Sequence, residues 1–259
     1  MTPEPSDETA AIRESPGEQT GRPVVSATGL TRAFDEVAVL EDVAIDVDPG
    51  AVTALVGPNG SGKTTLLRIL AGLLEPDDGT VRVRASGDRP LGYLPQEPTF
   101  RGRFTVGETL DFYADLLASP ADSDGVLERV GLDVVADRRV DALSGGMVRL
   151  LGLAVAVLGD PPLVVLDEPA SGLDPKIRAH VFDAIGGLAD EDTAVLLATH
   201  HLAGAELADR VIVLDRGVVV ADAPPDDVLA TTETDSLEDA FRELVSEDLA
   251  VQAGTEGSK

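Results

Sequence analysis

The chain has 259 residues, room for one large α/β domain or two small ones with a sizeable core. Its 47 acidic against 20 basic residues leave a net charge of −27, which argues against sequence-independent nucleic-acid binding and against direct attraction to anionic lipid. It has no cysteine, so disulfides, thiolate chemistry and cysteine-ligated metal are excluded.

Residues 1–23 are polar, proline-bearing and nearly free of large apolar side chains. They bury too little to offset ordering entropy and read as a disordered acidic tail. Val24 to Phe34 and Val37 to Val47 carry the Val/Ile alternation of strands, and Asp48-Pro49-Gly50 turns the chain. Val52 to Val56 is a short apolar strand that runs into Gly57-Pro58-Asn59-Gly60-Ser61-Gly62-Lys63-Thr64-Thr65, and an apolar-periodic helix follows. This is the phosphate-loop pattern G-x-x-x-x-G-K-[ST] in the strand–loop–helix context it requires. Glycines permit positive φ and let backbone amides approach a phosphate chain, and the helix start favours anions. Lys63 can reach the β- and γ-phosphates, and the Thr64 hydroxyl can ligate Mg²⁺. A nucleoside triphosphate is the expected ligand.

Glu75 to Gly79 is expected to end that helix in a turn. Thr80 to Arg84 and Leu91 to Leu94 read as strands, and Pro95-Gln96-Glu97 leaves the second as a loop. From residue 98 apolar spacing turns helical, through Val106, Leu110, Tyr113, Ala114 and Leu117 and then Val126, Leu127 and Val130. This predicts a helical subdomain, about 98–158, inserted in the α/β body. Its last helix, Ser144 to Leu158, starts on Ser144-Gly145-Gly146. Ser144 is a good N-cap, and the glycine amides make a second anion site. Alone, Ser-Gly-Gly is usually only a turn. Beside a single phosphate loop, it suggests a site that serves a neighbouring subunit's nucleotide.

Leu163 to Leu166 is a continuous apolar run ahead of Asp167, typical of a buried parallel strand. There Asp167 can hold Mg²⁺ through its waters, and Glu168 can orient and deprotonate a water as general base. Pro175 to Leu188 reads as helix, and Ala194 to Ala198 as a buried strand ending at Thr199-His200-His201. Arg210 to Asp215 and Val218 to Ala223 form a strand pair. Helices follow at Asp226 to Ala230 and Ser236 to Val245, the second amphipathic through Leu237, Phe241, Leu244 and Val245. Residues 246–259 read as a flexible tail. No apolar run approaches the roughly 20 residues of a membrane span and no leader pattern opens the chain, which points to an intracellular protein.

In order and spacing these segments resemble the nucleotide-binding subunit of ATP-binding cassette (ABC) transporters, over roughly residues 24–245. Walker A is GPNGSGKTT, the Q-loop is Gln96 in GYLPQE, and the signature is LSGGM. Walker B is LVVLDE, the D-loop is Ser171-Gly172-Leu173-Asp174, and the switch histidine is His200 in LATHH. The combination is far more specific than its parts. The resemblance implies an α/β fold: a P-loop NTPase of ABC type with a mixed sheet, an N-terminal antiparallel β part and the inserted helical subdomain. It also implies ATP and Mg²⁺ as ligands. A second copy, or a paralogue, would complete a nucleotide-sandwich dimer in which each ATP touches Walker A of one subunit and Ser144, Gly145 and Gly146 of the other. Phe34 would stack on adenine, and Gly57, Pro58, Asn59, Gly60, Ser61, Gly62, Lys63, Thr64 and Thr65 would hold the phosphates. Thr64, Gln96 and Asp167 would hold Mg²⁺. Glu168, Gln96 and His200 would form the catalytic group, with His200 on the γ-phosphate and Asp174 coupling the two sites. No role is implied for His180 or His201. A separate transmembrane permease would be the partner, nucleic acid would not, and the chain would sit peripherally on the cytoplasmic face of the cell membrane.

Met147 departs from the glutamine many members carry. With SGGMVRLLGLA and the closing SLEDAFRELV, it resembles the exporter class that includes drug-export and copper-handling ATPases. The short span from Thr80 to Gln96 resembles metal-ion importers instead, so export is favoured and import stays open. A non-transport ATPase, such as an iron–sulfur assembly scaffold, is the other alternative. Lys63, Lys176 and Lys259 are the only lysines. An acid-rich, lysine-poor surface resembles proteins of salt-loving organisms, where self-repulsion is screened.

Overall fold

The runs Val52–Val56, Leu163–Asp167 and Ala194–Thr199 have no polar side because every residue in them is buried. Strands covered on both faces read this way, as unbroken rather than alternating apolar sequence. The computed structural model describes residues 12–13, 22–84, 89–189, 193–206 and 208–245. Its strands are β1 (Ile12–Arg13), β2 (Val25–Phe34), β3 (Val37–Val47), β4 (Val52–Val56), β5 (Asp78–Val83), β6 (Gly92–Leu94), β7 (Leu163–Asp167), β8 (Ala194–Thr199), β9 (Arg210–Asp215) and β10 (Val218–Ala223). Its α-helices are α1 (Lys63–Leu70), α2 (Val106–Ala114), α3 (Ser123–Arg129), α4 (Gly145–Val157), α5 (Pro175–Gly186), α6 (Leu202–Ala205), α7 (Pro225–Thr232) and α8 (Leu237–Leu244).

One sheet runs β1-β10-β9-β4-β8-β7-β6 and is mixed: β9, β4, β8, β7 and β6 are parallel neighbours, while β10 is antiparallel to β9. The other, β3-β2-β5, is antiparallel. The fold class expected from the sequence is the one found. The parallel sheet separates two cores, and the period of two along a strand sends alternate residues to each. Val164 and Leu166 pack among α4, α5 and the later helices, whereas Leu163 and Val165 pack with α1 and the antiparallel sheet.

Within the segment expected to be a tail, Ile12–Arg13 pair with β10 as a two-residue parallel strand. Residues 1–11, 14–21 and 246–259 lie outside the described residues. The phosphate-loop helix ends at Leu70, earlier than the Glu75–Gly79 turn suggests. Gly72 at φ 69° closes it, with Gly72 N–H donating to Ile69 O and Leu73 N–H to Arg68 O, the two bonds of a Schellman cap. β5 begins two residues early because Asp78 pairs with Thr31.

Register does the positioning. Val56 lies beside Thr199, and Asp167 beside Ala198. The carboxyl ends of β4, β7 and β8 are therefore level, and the loops leaving them share one crevice, as open parallel sheets provide.

Candidate functional site

The loop after β4 is laid tightly on its neighbours. A Cβ on Gly57 would stand 2.2 Å from the Leu214 carbonyl oxygen. Gly62 caps α1 at φ 106°, a conformation only glycine adopts without strain. Ser61 is buried beneath the loop; its carbonyl accepts from Gly217 N–H, and its Oγ has no partner among the described residues. Lys63 Nζ curls back to donate to the carbonyls of Gly57 at 2.8 Å and Pro58 at 3.0 Å. It lies 3.6 Å from Glu168 Oε1. Burial holds the Lys63 ammonium below the usual lysine range, and the Glu168 carboxylate opposes this.

Thr64 Oγ1 donates to Asp167 Oδ1 at 3.0 Å, and the Tyr93 hydroxyl reaches Oδ2 at 3.4 Å. Asp167 is 1% exposed. Burial pushes its carboxyl above the ordinary range, chiefly against the Thr64 hydrogen bond, with Glu168 pushing the same way. Next to it, Glu168 takes φ 50°, a left-handed conformation strained for a residue with a Cβ. Its N–H donates to Ala198 O at 2.9 Å, so the strand pairing continues through the strained residue. Its Oε2 lies 2.8 Å from His200 Nδ1. A hydroxyl and a carboxylate side by side are hard oxygen donors of the kind Mg²⁺ accepts. No group of three or more His, Cys, Asp or Glu able to hold a metal occurs among the described residues.

A cleft of about 480 Å³ brings together Phe34, Asn59, Gly60, Gly62, Lys63, Thr64, Thr65, Gln96 and Glu168. Asp167 and His200 stand one hydrogen bond behind it. Ser144, Gly145 and Gly146 do not line it. They open α4, where Ser144 Oγ accepts from Met147 N–H at 3.3 Å. The two glycines there differ. A Cβ on Gly145 would meet nothing within 4 Å, while one on Gly146 would lie 2.4 Å from Ile177 Cγ2. Asp174 caps its own helix, accepting from the N–H groups of Lys176 and Ile177. His201 stacks on His200 with ring centroids 4.0 Å apart, and burial, then His200 and Arg178, lower its pKa. Tyr93 and Arg68, both facing Asp167, escape the sequence reading. The available signal for Tyr93 is alternation: Gly92 and Leu94 are buried in β6, so the residue between them faces the other side.

The profile of the ABC transporter family matches residues 40–171. The uncharacterized ABC transporter ATP-binding protein YdbJ of Bacillus subtilis (strain 168) is 38% identical over 223 residues, 82% of this chain and 72% of that one. The Nod factor export ATP-binding protein I of Ralstonia nicotianae is 34% identical over 231 residues, 83% of this chain and 72% of that one. Among solved structures, an ATP-binding subunit of an ABC transporter superposes with a TM-score of 0.75 at 27% identity, covering 85% of this chain and 99% of that one. The dimeric cassette MJ0796, at 22% identity and a TM-score of 0.69, shares the fold over 77% of this chain and 98% of that one.

Proposed function

This chain belongs to the ABC transporter family of ATP-binding subunits, and we propose that it is one half of a nucleotide-sandwich pair that drives export through a separate transmembrane permease. It is an ATPase coupled to transport. The paired reading rests on one observation: the cleft that gathers the phosphate loop, Gln96 and Glu168 takes nothing from the Ser144 helix start, whose Gly145 faces open space. A second subunit supplies that helix tip to the γ-phosphate.

In each half-site Phe34 stacks on adenine, the loop from Gly57 to Thr65 grips the phosphates, and Thr64, Gln96 and Asp167 hold Mg²⁺. Bound Mg²⁺ supplies charge neutralisation on the phosphate oxygens. Lys63 leaves the Gly57 and Pro58 carbonyls for the β- and γ-phosphates. Glu168 accepts a proton from water as the water oxygen bonds to the γ-phosphorus and the bond to the β-phosphate oxygen breaks, releasing ADP and phosphate. His200 orients that carboxylate and then meets the γ-phosphate.

We read residues 24–245 as the cassette, with 98–158 as its helical part. The permease docks where a cleft of about 330 Å³ opens among Phe100, Arg101, Phe104, Phe112 and Tyr113, a few residues beyond Gln96. None of the described helices is long and apolar enough to cross a membrane. The permease would hold the chain at the cytoplasmic face. Export is favoured by the relatives named for Nod factor export and by the Met147 signature. The test is Glu168→Gln with ATP in molar KCl. Turnover falls by about 10²–10⁴ with nucleotide affinity kept, and light scattering shows a dimer. A monomer at every concentration, or unchanged turnover, overturns the reading.

A further inference from the structure

Phe34 sits at the end of β2, 43% exposed, on the wall of the nucleotide cleft. Two residues back on the same strand, the Arg32 guanidinium carbon lies 4.8 Å from the centre of that ring. Arg32 is not itself among the residues that line the cleft. Its Nη1 is fixed to Asp77 Oδ1 at 2.5 Å, and its side chain is 23% exposed. Asp77 is fixed in turn: its other oxygen accepts from Ala33 N–H at 2.7 Å, and its own N–H donates to Thr31 O at 2.8 Å. Asp77 belongs to the turn that leaves the phosphate-loop helix for β5. The chain that leaves the Lys63 helix thus runs into the clamp behind the Phe34 ring.

We propose that Arg32, held by Asp77, is a positioning residue for the nucleotide base, setting the Phe34 ring as a platform whose open face receives the purine. This rests on the reading of Phe34 as the base-stacking residue. A cation is attracted to an aromatic face, so Arg32 fixes which face is covered and holds an otherwise half-exposed ring in one orientation. It also draws π density away from the uncovered face, which favours an electron-rich purine there. Stacking of this kind reads any base with a large π-face, so ATP is preferred over UTP by overlap rather than by hydrogen bonding. Because Asp77 joins the platform to the exit of α1, the base and phosphate grips keep a fixed separation.

The chain contains no tryptophan, so Phe34→Trp introduces a single indole at the platform. In that background ATP quenches the emission. Adding Arg32→Ala raises the half-saturating ATP concentration about three- to fivefold, the size expected of an exposed cation–π contact. The constant for inorganic tripolyphosphate with Mg²⁺, read by calorimetry, does not change, because it has no base to stack. Arg32→Lys restores the ATP constant, and Asp77→Asn, which frees the guanidinium, gives the same base-selective loss as Arg32→Ala. A rise in both constants together marks Arg32 as merely structural and overturns the proposal, as does an unchanged ATP constant. If ATP leaves the introduced indole unquenched, the base-stacking reading of Phe34 fails and takes this proposal with it.

Discussion

Burying the Asp167 carboxylate costs free energy that folding alone has no use for. Its partners, the Thr64 and Tyr93 hydroxyls, are neutral, and they leave its pKa raised. The folded state binds this proton more tightly than the unfolded chain, so the favourable contribution is full below the ordinary carboxylate value of 3.8 and is lost as pH rises through the raised one. At neutral pH the nucleotide-free protein carries the penalty, and a divalent cation bound beside Asp167 and Thr64 would remove it. Asp167→Asn keeps an oxygen for the Thr64 hydroxyl and drops the charge. The nucleotide-free variant should melt higher than the parent at pH 7, with a flatter pH dependence in calorimetry, while Mg²⁺ loses its effect on ATP affinity. A lower melting temperature at pH 7 would show that the charge is not a burden. At this scale the motif letters are legible and their facing is not. The phosphate loop runs through Ser61 and the signature names Gly146, yet Ser61 lies under its loop and Gly146 is packed against Ile177. A pattern records which residues a backbone path tolerates. It does not say which of them the neighbouring elements have already covered.

Elements are legible where a period or an end signal is written locally. β9 and β10 lie at the bounds predicted by the two apolar runs on either side of Arg216-Gly217. The run Thr105-Val106-Gly107-Glu108 starts α2 with a complete capping box: Thr105 Oγ1 accepts from Glu108 N–H at 3.1 Å, and Glu108 Oε2 accepts from Thr105 N–H at 2.9 Å. The single-turn 3₁₀ segments Asp133–Val135 and Val140–Ala142 are invisible to such reading, because three residues carry no period. Long-range fits are equally silent. Gly92 reads as an ordinary strand residue, but a Cβ there would sit 1.8 Å from the Ala156 carbonyl oxygen, so β6 and α4 touch backbone to backbone. The cap can be tested. Thr105→Ala should cost about 1 kcal/mol in urea unfolding. Glu108→Ala should cost less, and the double variant less than the sum, because the two bonds of a box support each other. Full additivity would mean that the two bonds act separately.

At the scale of the whole molecule the charge decides under which conditions the fold persists. A net −27 spread over 259 residues opposes compaction, and described ion pairs such as Arg129–Asp160, both well exposed, return little. What remains is the solvent. At about 0.15 M salt the Debye length is near 8 Å, so neighbouring carboxylates still feel one another; at about 1 M it is near 3 Å and they do not. If screening is what this surface requires, the melting temperature should climb by more than about 10 °C between roughly 0.1 and 1 M KCl and then flatten, since little repulsion is left to remove. Salts that act by exclusion from the protein surface behave differently, strengthening burial in proportion to their concentration. A melting temperature that kept rising linearly to several molar KCl would assign the stabilisation to exclusion instead. One that stayed flat throughout would show that the acidic surface carries no such cost and would remove the halophilic reading. If each half-site works with a twin, as proposed above, ATP turnover should follow the same curve, because bringing two such anions together adds to the repulsion that salt must screen.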